Sequence, residues 1–178
     1  ICRWAMFVIL LVGAFLPPLD FFIVNVALPA IQGELGASSS AEQLVISSYA
    51  AVYAVTLITG GRLGDIYGRG KMFFLGLVGF AAASLLCGLA WSPWVLITGR
   101  VLQGATAAIM APQALASVQA IFPEAEKPLA LSIYGAVFGL ASVIGQVLGG
   151  ILISVNLFHL GWRAIFLVNL PVALLVIL

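Results

Sequence analysis

The sequence predicts an all-α integral membrane protein with six transmembrane helices. Three observations carry that reading. Of 178 residues, 63% are hydrophobic and 7% charged, with a mean hydropathy of +1.23; soluble domains carry about 25% charge. Apolar runs recur at close to the roughly 20 residues that cross a bilayer's hydrocarbon core. Basic residues collect on alternate connections between those runs. Seven basic and six acidic side chains are too few to cover a soluble surface. The composition therefore excludes a soluble enzyme, a nucleic-acid binder and a disordered tail, and a net charge of +1 offers no bulk attraction to nucleic acid.

The first span covers about 4–28. It is longer than a signal-peptide core, and no cleavage site follows it. Pro17 and Pro18 interrupt it just before Asp20. An interior proline removes a backbone hydrogen bond, so a kink is expected, with freed carbonyls that suit an ion or substrate site. Gly13, Pro17, Asp20, Val24 and Ala27 share a face. The second span, about 44–63, has a stripe of Tyr49, Tyr53, Thr56, Gly60 and Gly64. The connection that follows reads Gly61-Arg62-Leu63-Gly64-Asp65-Ile66-Tyr67-Gly68-Arg69-Gly70-Lys71. Glycines at 60, 64 and 68 recur every four residues, and Asp65 and Arg69 can pair if the turn is helical. This density of glycine and charge reads as a hinge or latch.

The third span covers about 72–91 and contains Cys87. In the fourth, about 94–117, Arg100 shares a small, polar face with Gln103, Gly104, Ala107 and Ala111. In the fifth, about 129–154, the stripe is Gly135, Gly139, Ser142, Gln146 and Gly149. Small residues let membrane helices pack closely, and that alone explains most of these glycines. Tyr49, Tyr53, Gln103 and Gln146 are candidates for lining a wet path. The sixth span, about 164–178, is still apolar where the sequence stops, and the first residue is not Met. The whole of 1–178 is expected to be one domain, a piece of a longer membrane protein.

An N-terminus on the inside places Arg3, Arg62, Arg69, Lys71 and Lys127 together there, with Arg163 outside, a positive-inside bias. Trp91, Trp94 and Trp162 then mark the outer interface. Cys2 and Cys87 lie toward opposite membrane faces and read as reduced apolar fillers. His159 is the single histidine, and no metal-ligand spacing, nucleophile–base arrangement or phosphate cradle is visible. Asp20 and Arg100 are the two charges deep in the spans. They lie about 12 and 9 Å below the outer ends at about 1.5 Å per residue, so they can share one level. A structural ion pair is one reading. The other is a proton-binding carboxylate tuned by Arg100, since a nearby cation favours an ionised acid and burial favours a neutral one.

The chain resembles the major facilitator superfamily. The connection at 61–71 resembles the signature between the family's second and third helices, with Gly61, Leu63, Asp65, Gly68 and Arg69 in place and departures at Ile66 and Gly70. Arg100-Val101-Leu102-Gln103-Gly104 is similar to its embedded-arginine motif, with Thr106 where Gly is usual. Gly145-Gln146-Val147-Leu148-Gly149-Gly150 is similar to the motif of proton-coupled antiporters, with Gln146 in place of Pro. Residues 19–29 and 162–171 resemble the fourteen-span drug:proton antiporter branch, with Phe22 where Thr is usual.

The resemblance implies the N-terminal half of a two-half fold, in a cell (inner) membrane with a cytoplasmic N-terminus, working by alternating access. It implies export of small amphipathic compounds in exchange for protons, with no enzyme activity. No cofactor is expected; the proton gradient is the energy source. The implied partners are the small-molecule substrate, protons, the lipid bilayer and the missing C-terminal half, and no nucleic acid. Asp20, Arg100, Gln103 and Asn25 would couple proton to substrate. Gly61, Asp65, Gly68 and Arg69 would form the cytoplasmic latch. Gly145, Gly149 and Gly150 would pack the antiporter motif, sealing the interface between halves. An importer or uniporter on the same fold, or a transport-inactive sensor, are the alternatives; eight further spans in the full chain would support the drug-antiporter branch, six the twelve-span relatives, and a large soluble domain signalling.

Overall fold

The computed structural model describes residues 3–177, which are helical almost throughout. The elements are α1 Arg3–Leu35, α2 Ser39–Tyr67, α3 Arg69–Gly88, α4 Pro93–Ile121, α5 Lys127–Val155, α6 Ala164–Leu167 and α7 Asn169–Ile177. Two short 3-10 turns, Leu157–His159 and Gly161–Arg163, link α5 to α6. The first five helices are long and apolar enough to cross a membrane, and Gly161–Ile177 forms a shorter apolar segment. The expected sixth span is therefore present as a broken helix. Pro171 supplies the reason: it has no N–H for the carbonyl of Leu167 and its ring crowds that carbonyl, and α6 ends at Leu167. Cys2 and Leu178 fall outside the described residues.

Local chemistry sets the other ends. Ser38 caps α2, its hydroxyl accepting from Ala41 N at 3.2 Å, and Ser92 caps α4 ahead of Pro93 by accepting from Val95 N at 3.4 Å. Asn156 ends α5 in a left-handed conformation, φ 48°. The connection between α2 and α3 is a single residue, Gly68, at φ +95°. A Cβ disfavours that conformation. The stretch expected as a loop is thus mostly helix, because no proline or positive-φ residue interrupts it before Gly68. Helices α1 and α2 also overrun their expected bounds, since hydropathy marks the apolar stretch and the helix continues past it; α1's 33 residues span about 50 Å at about 1.5 Å each.

In the bundle, α4 packs along α2 and α3, while α1 packs along α5. Small residues decide these contacts. A Cβ on Gly104 would lie 2.5 Å from the Tyr49 carbonyl oxygen of α2, and one on Gly145 would lie 2.9 Å from the Leu19 carbonyl oxygen of α1. Backbones this close admit no larger side chain. Pro17 and Pro18 lie inside α1, which continues as helix through them. The bonds they remove point to the carbonyls four residues earlier, on Gly13 and Ala14, nearly two turns before Asp20. The expected cradle of freed carbonyls beside Asp20 is therefore not formed.

Candidate functional site

Asp20 of α1 and Arg100 of α4 meet in an ion pair with both side chains fully buried. This is the pairing expected from their depths. The Asp20 carboxylate accepts three side-chain hydrogen bonds: Arg100 Nη1 donates to Oδ2, while Gln103 Nε2 at 3.0 Å and Asn169 Nδ2 at 2.7 Å donate to Oδ1. Arg100 also donates from Nε to the Val45 carbonyl at 3.1 Å and from Nη1 to Gln103 Oε1 at 2.8 Å. Ser84 Oγ accepts from Gln103 Nε2 at 2.8 Å and from Asn169 Nδ2 at 3.3 Å. The Cys87 thiol donates to Gln103 Oε1 at 3.3 Å. Asp20, Ser84, Arg100, Gln103 and Asn169 are all buried. Taking such charge out of water is costly, so every bond that compensates it counts.

Aromatic rings close the network. The Arg100 guanidinium lies 4.3 Å from the centroid of the Tyr49 ring and 5.9 Å from that of Phe166, a placement that favours a desolvated cation. Tyr49 donates its hydroxyl to the Pro17 carbonyl at 3.2 Å and stacks with Tyr53 at 6.1 Å. On the other side of Tyr49 opens a cleft of about 220 Å³, lined by Pro17, Pro18, Phe21, Phe22, Tyr49, Ala50, Tyr53 and Phe138. Tyr49 thus borders both the cleft and the ion pair.

The remaining expectations divide. Tyr49 and Tyr53 both line the apolar cleft, and Gln146 is exposed on α5 and does not. It lies about 100° round the helix from Gly145, which faces α1. Asn25 is exposed, and its amide returns to the carbonyls of Phe21 and Phe22 at 3.3 and 3.4 Å. It is five residues from Asp20, about 140° away around α1, so it cannot join the pair. Gly145 and Gly149 pack against α1, with a Cβ on Gly149 lying 3.0 Å from Ile23, while Gly150 has open space around it. Asp65 and Arg69 pair at 3.5 Å, and Arg69 also donates to the Ala116 carbonyl of α4 at 3.2 Å. Gly61 faces Pro112 across ordinary van der Waals distance. Ser84 and Asn169 were not among the expected site residues. Trp91 and Trp94 are exposed, whereas Trp162 is buried, because its indole donates to Glu34 Oε2 at 2.8 Å and Glu34 pairs with Arg163. Arg163 in turn donates to the Ala90 carbonyl at 3.1 Å. This clasp ties the ends of α1 and α3 to the start of α6.

Fold and site together define a class: a membrane-spanning helix bundle with an acid–base pair held at its centre. Residues 10–178 match the Major Facilitator Superfamily, and the chain belongs to that family. It is 43% identical over 175 residues to the "Probable actinorhodin transporter" of Streptomyces coelicolor, covering 98% of this chain and 30% of that protein. It is 42% identical to the puromycin resistance protein pur8 of Streptomyces alboniger, covering 99% and 34%, and 38% identical to the tetracenomycin C resistance and export protein of Streptomyces glaucescens, covering 96% and 31%. The chain therefore spans about a third of the length of these relatives. The relatives are transport and resistance proteins, not enzymes. The fold matches the crystal structure of tetrameric PepTSo2 with a TM-score of 0.84 at 19% identity, over 99% of this chain and 40% of that one. It matches a bacterial homologue of the human lysosomal transporter Spinster with a TM-score of 0.84 at 23% identity, over 98% and 43%.

Proposed function

We propose that this chain is the proton-coupling N-terminal half of an exporter that expels small amphipathic compounds in exchange for protons. The observation that carries the reading is the Asp20–Arg100 pair, fully buried and one tyrosine away from a cleft of apolar and aromatic lining. Charge inside a membrane bundle is expensive and marks ion or substrate pathways. An aromatic cleft suits amphipathic and cationic molecules. Relatives named for export and resistance support the substrate class.

In the proposed cycle, the compound enters from the cytoplasm or the inner leaflet. A proton from outside neutralises Asp20, weakens its hold on Arg100, and the two halves rock to release the compound outward. The basic ends of α1, α2, α3 and α5 face the cytoplasm, where Asp65 and Arg69 latch the structure. Gly145 and Gly149 hold α5 against α1, so that the face of α5 carrying Gln146 remains for the second half.

The test is Asp20→Asn, with Asp20→Glu beside it, in the full-length protein in proteoliposomes under an imposed pH gradient. Gradient-driven efflux is expected to fall at least tenfold in Asp20→Asn and to survive in part in Asp20→Glu. Undiminished efflux in Asp20→Asn overturns the reading.

A further inference from the structure

Three groups bond to the Asp20 carboxylate, and all three do so as donors. That set suits an anion. A protonated carboxyl has an O–H of its own and needs an acceptor in the same buried space, where an unpaired donor is costly. Arg100 has no acceptor to offer. Gln103 has one, but its Oε1 is already held by Arg100 Nη1 at 2.8 Å and by the Cys87 thiol at 3.3 Å. Asn169 is different. Its Oδ1 is buried and has no hydrogen-bond partner, while its Nδ2 faces Asp20.

We propose that Asn169 is a protonation-responsive positioning residue, whose side-chain amide turns over when Asp20 takes up a proton; this rests on the proton-binding reading of Asp20. A half-turn exchanges the positions of Nδ2 and Oδ1. With Asp20 ionised, Nδ2 donates to Asp20 Oδ1. After hydronium gives a proton to that oxygen and leaves as water, the turned Asn169 Oδ1 accepts from the new O–H. Deprotonation reverses both changes.

Ser84 makes the turn possible. Its oxygen already accepts from Gln103 Nε2, so its own proton is free to rotate. With Asp20 ionised, Ser84 Oγ accepts from Asn169 Nδ2 at 3.3 Å; with Asp20 neutral, the Ser84 hydroxyl donates to the turned Oδ1. Turning keeps one bond to Asp20 and one to Ser84 but leaves the two Nδ2 hydrogens unpaired where Oδ1 was, a cost that returns the amide once Asp20 loses its proton. The other ionisable groups near Asp20 are Arg100 from α4, Tyr49 from α2 and Cys87 from α3; none of the hydrogen bonds to Asp20 from the α5–α7 segment comes from an ionisable side chain. Because Asn169 is the first residue of α7, directly after the break, the proton's arrival is registered at the point where the sixth span is interrupted.

The experiment is infrared difference spectroscopy of the full-length protein in lipid, titrated with acid. The protonated-carboxyl carbonyl band that disappears in Asp20→Asn belongs to Asp20. In Asn169→Leu that band is expected to move to higher wavenumber, because the Asp20 O–H loses its acceptor, and Asn169→Ser is expected to bring it part of the way back. A second measurement leaves Asn169 in place: with asparagine carrying carbon-13 at its side-chain carbonyl, an amide band is expected to shift in step with the Asp20 band and to stay still in Asp20→Asn. An Asp20 band unmoved in Asn169→Leu, or an amide band that ignores Asp20, overturns the switch while leaving proton binding intact. The absence of any Asp20 band overturns the proton-binding reading and the switch with it.

Discussion

Tyr49 makes two separable contacts: its ring lies under the Arg100 guanidinium, and its hydroxyl ties α2 to the Pro17 carbonyl of α1. Tyr49→Phe removes only the second, a loss of about 1 kcal/mol, and is expected to lower the unfolding temperature in detergent slightly while leaving efflux near normal. Tyr49→Leu removes both, including about 2 kcal/mol of desolvated cation–aromatic attraction, and is expected to impair efflux in the same assay. The ion pair allows a sharper comparison. Arg100→Leu leaves Asp20 buried and unpaired and is expected to destabilise by about 3–5 kcal/mol, whereas the double variant Asp20→Leu/Arg100→Leu recovers most of that stability without recovering efflux. Thermal unfolding together with efflux separates the two. Asp20, Arg100 and Gln103 were legible in the sequence because a charge or amide within an apolar run is anomalous by itself. Ser84 was not, because a serine in a membrane helix is unexceptional until its neighbours are known, and Asn169 was read only as part of the motif at 162–171. Asn25 was named through the resemblance at residues 19–29, and the helix turns it away from Asp20.

At the scale of elements, the glycines divide by what lies opposite them. Gly145→Val is expected to push α5 off Leu19 and Ile23, reducing the yield of folded protein on size-exclusion chromatography. Gly150 meets open space within this half, on the face that carries Gln146, so Gly150→Ala is expected to leave α5 seated on α1 and the yield of folded protein unchanged. The sequence showed both as one motif, and the difference between them is a rotation of about 140°. Pro171→Ala restores the missing N–H and, because Val168 already has helical φ −61° and ψ −23°, is expected to join α6 to α7 with Asn169 still on Asp20 and efflux near normal. The number and order of spans followed from hydropathy alone. The break after Leu167 did not, since Pro171 was read as part of a motif and its effect falls four residues earlier.

For the whole molecule, the apolar residues left exposed are consistent with a protein surrounded by lipid and a second half. Val55 and Ile58 on α2, and Val143 and Val147 on α5, are more than half exposed. Exposed apolar surface on this scale marks contact with lipid or protein. Orientation is open to direct measurement. In full-length protein carrying Cys2→Ser, a cysteine placed at Lys71 is expected to react only with a reagent delivered to the cytoplasm, and one placed at Trp91 only with an impermeant reagent outside the cell. Labelling of the opposite sense would invert the membrane assignment of every connection.

The ion pair also bears on how the protein is made. Asp20 and Arg100 are 80 residues apart. At about 5–20 residues per second, the ribosome delivers the arginine several seconds after the aspartate. For that interval α1 must enter the bilayer with its acid unmatched, a penalty of about 3 kcal/mol near a helix centre on the translocon scale. Helix α1 is the most apolar of the five long helices, which offsets that penalty. Its hydrophobicity thus serves insertion as well as the finished bundle, because the nascent chain must hold Asp20 in the membrane before its counter-ion has been synthesised.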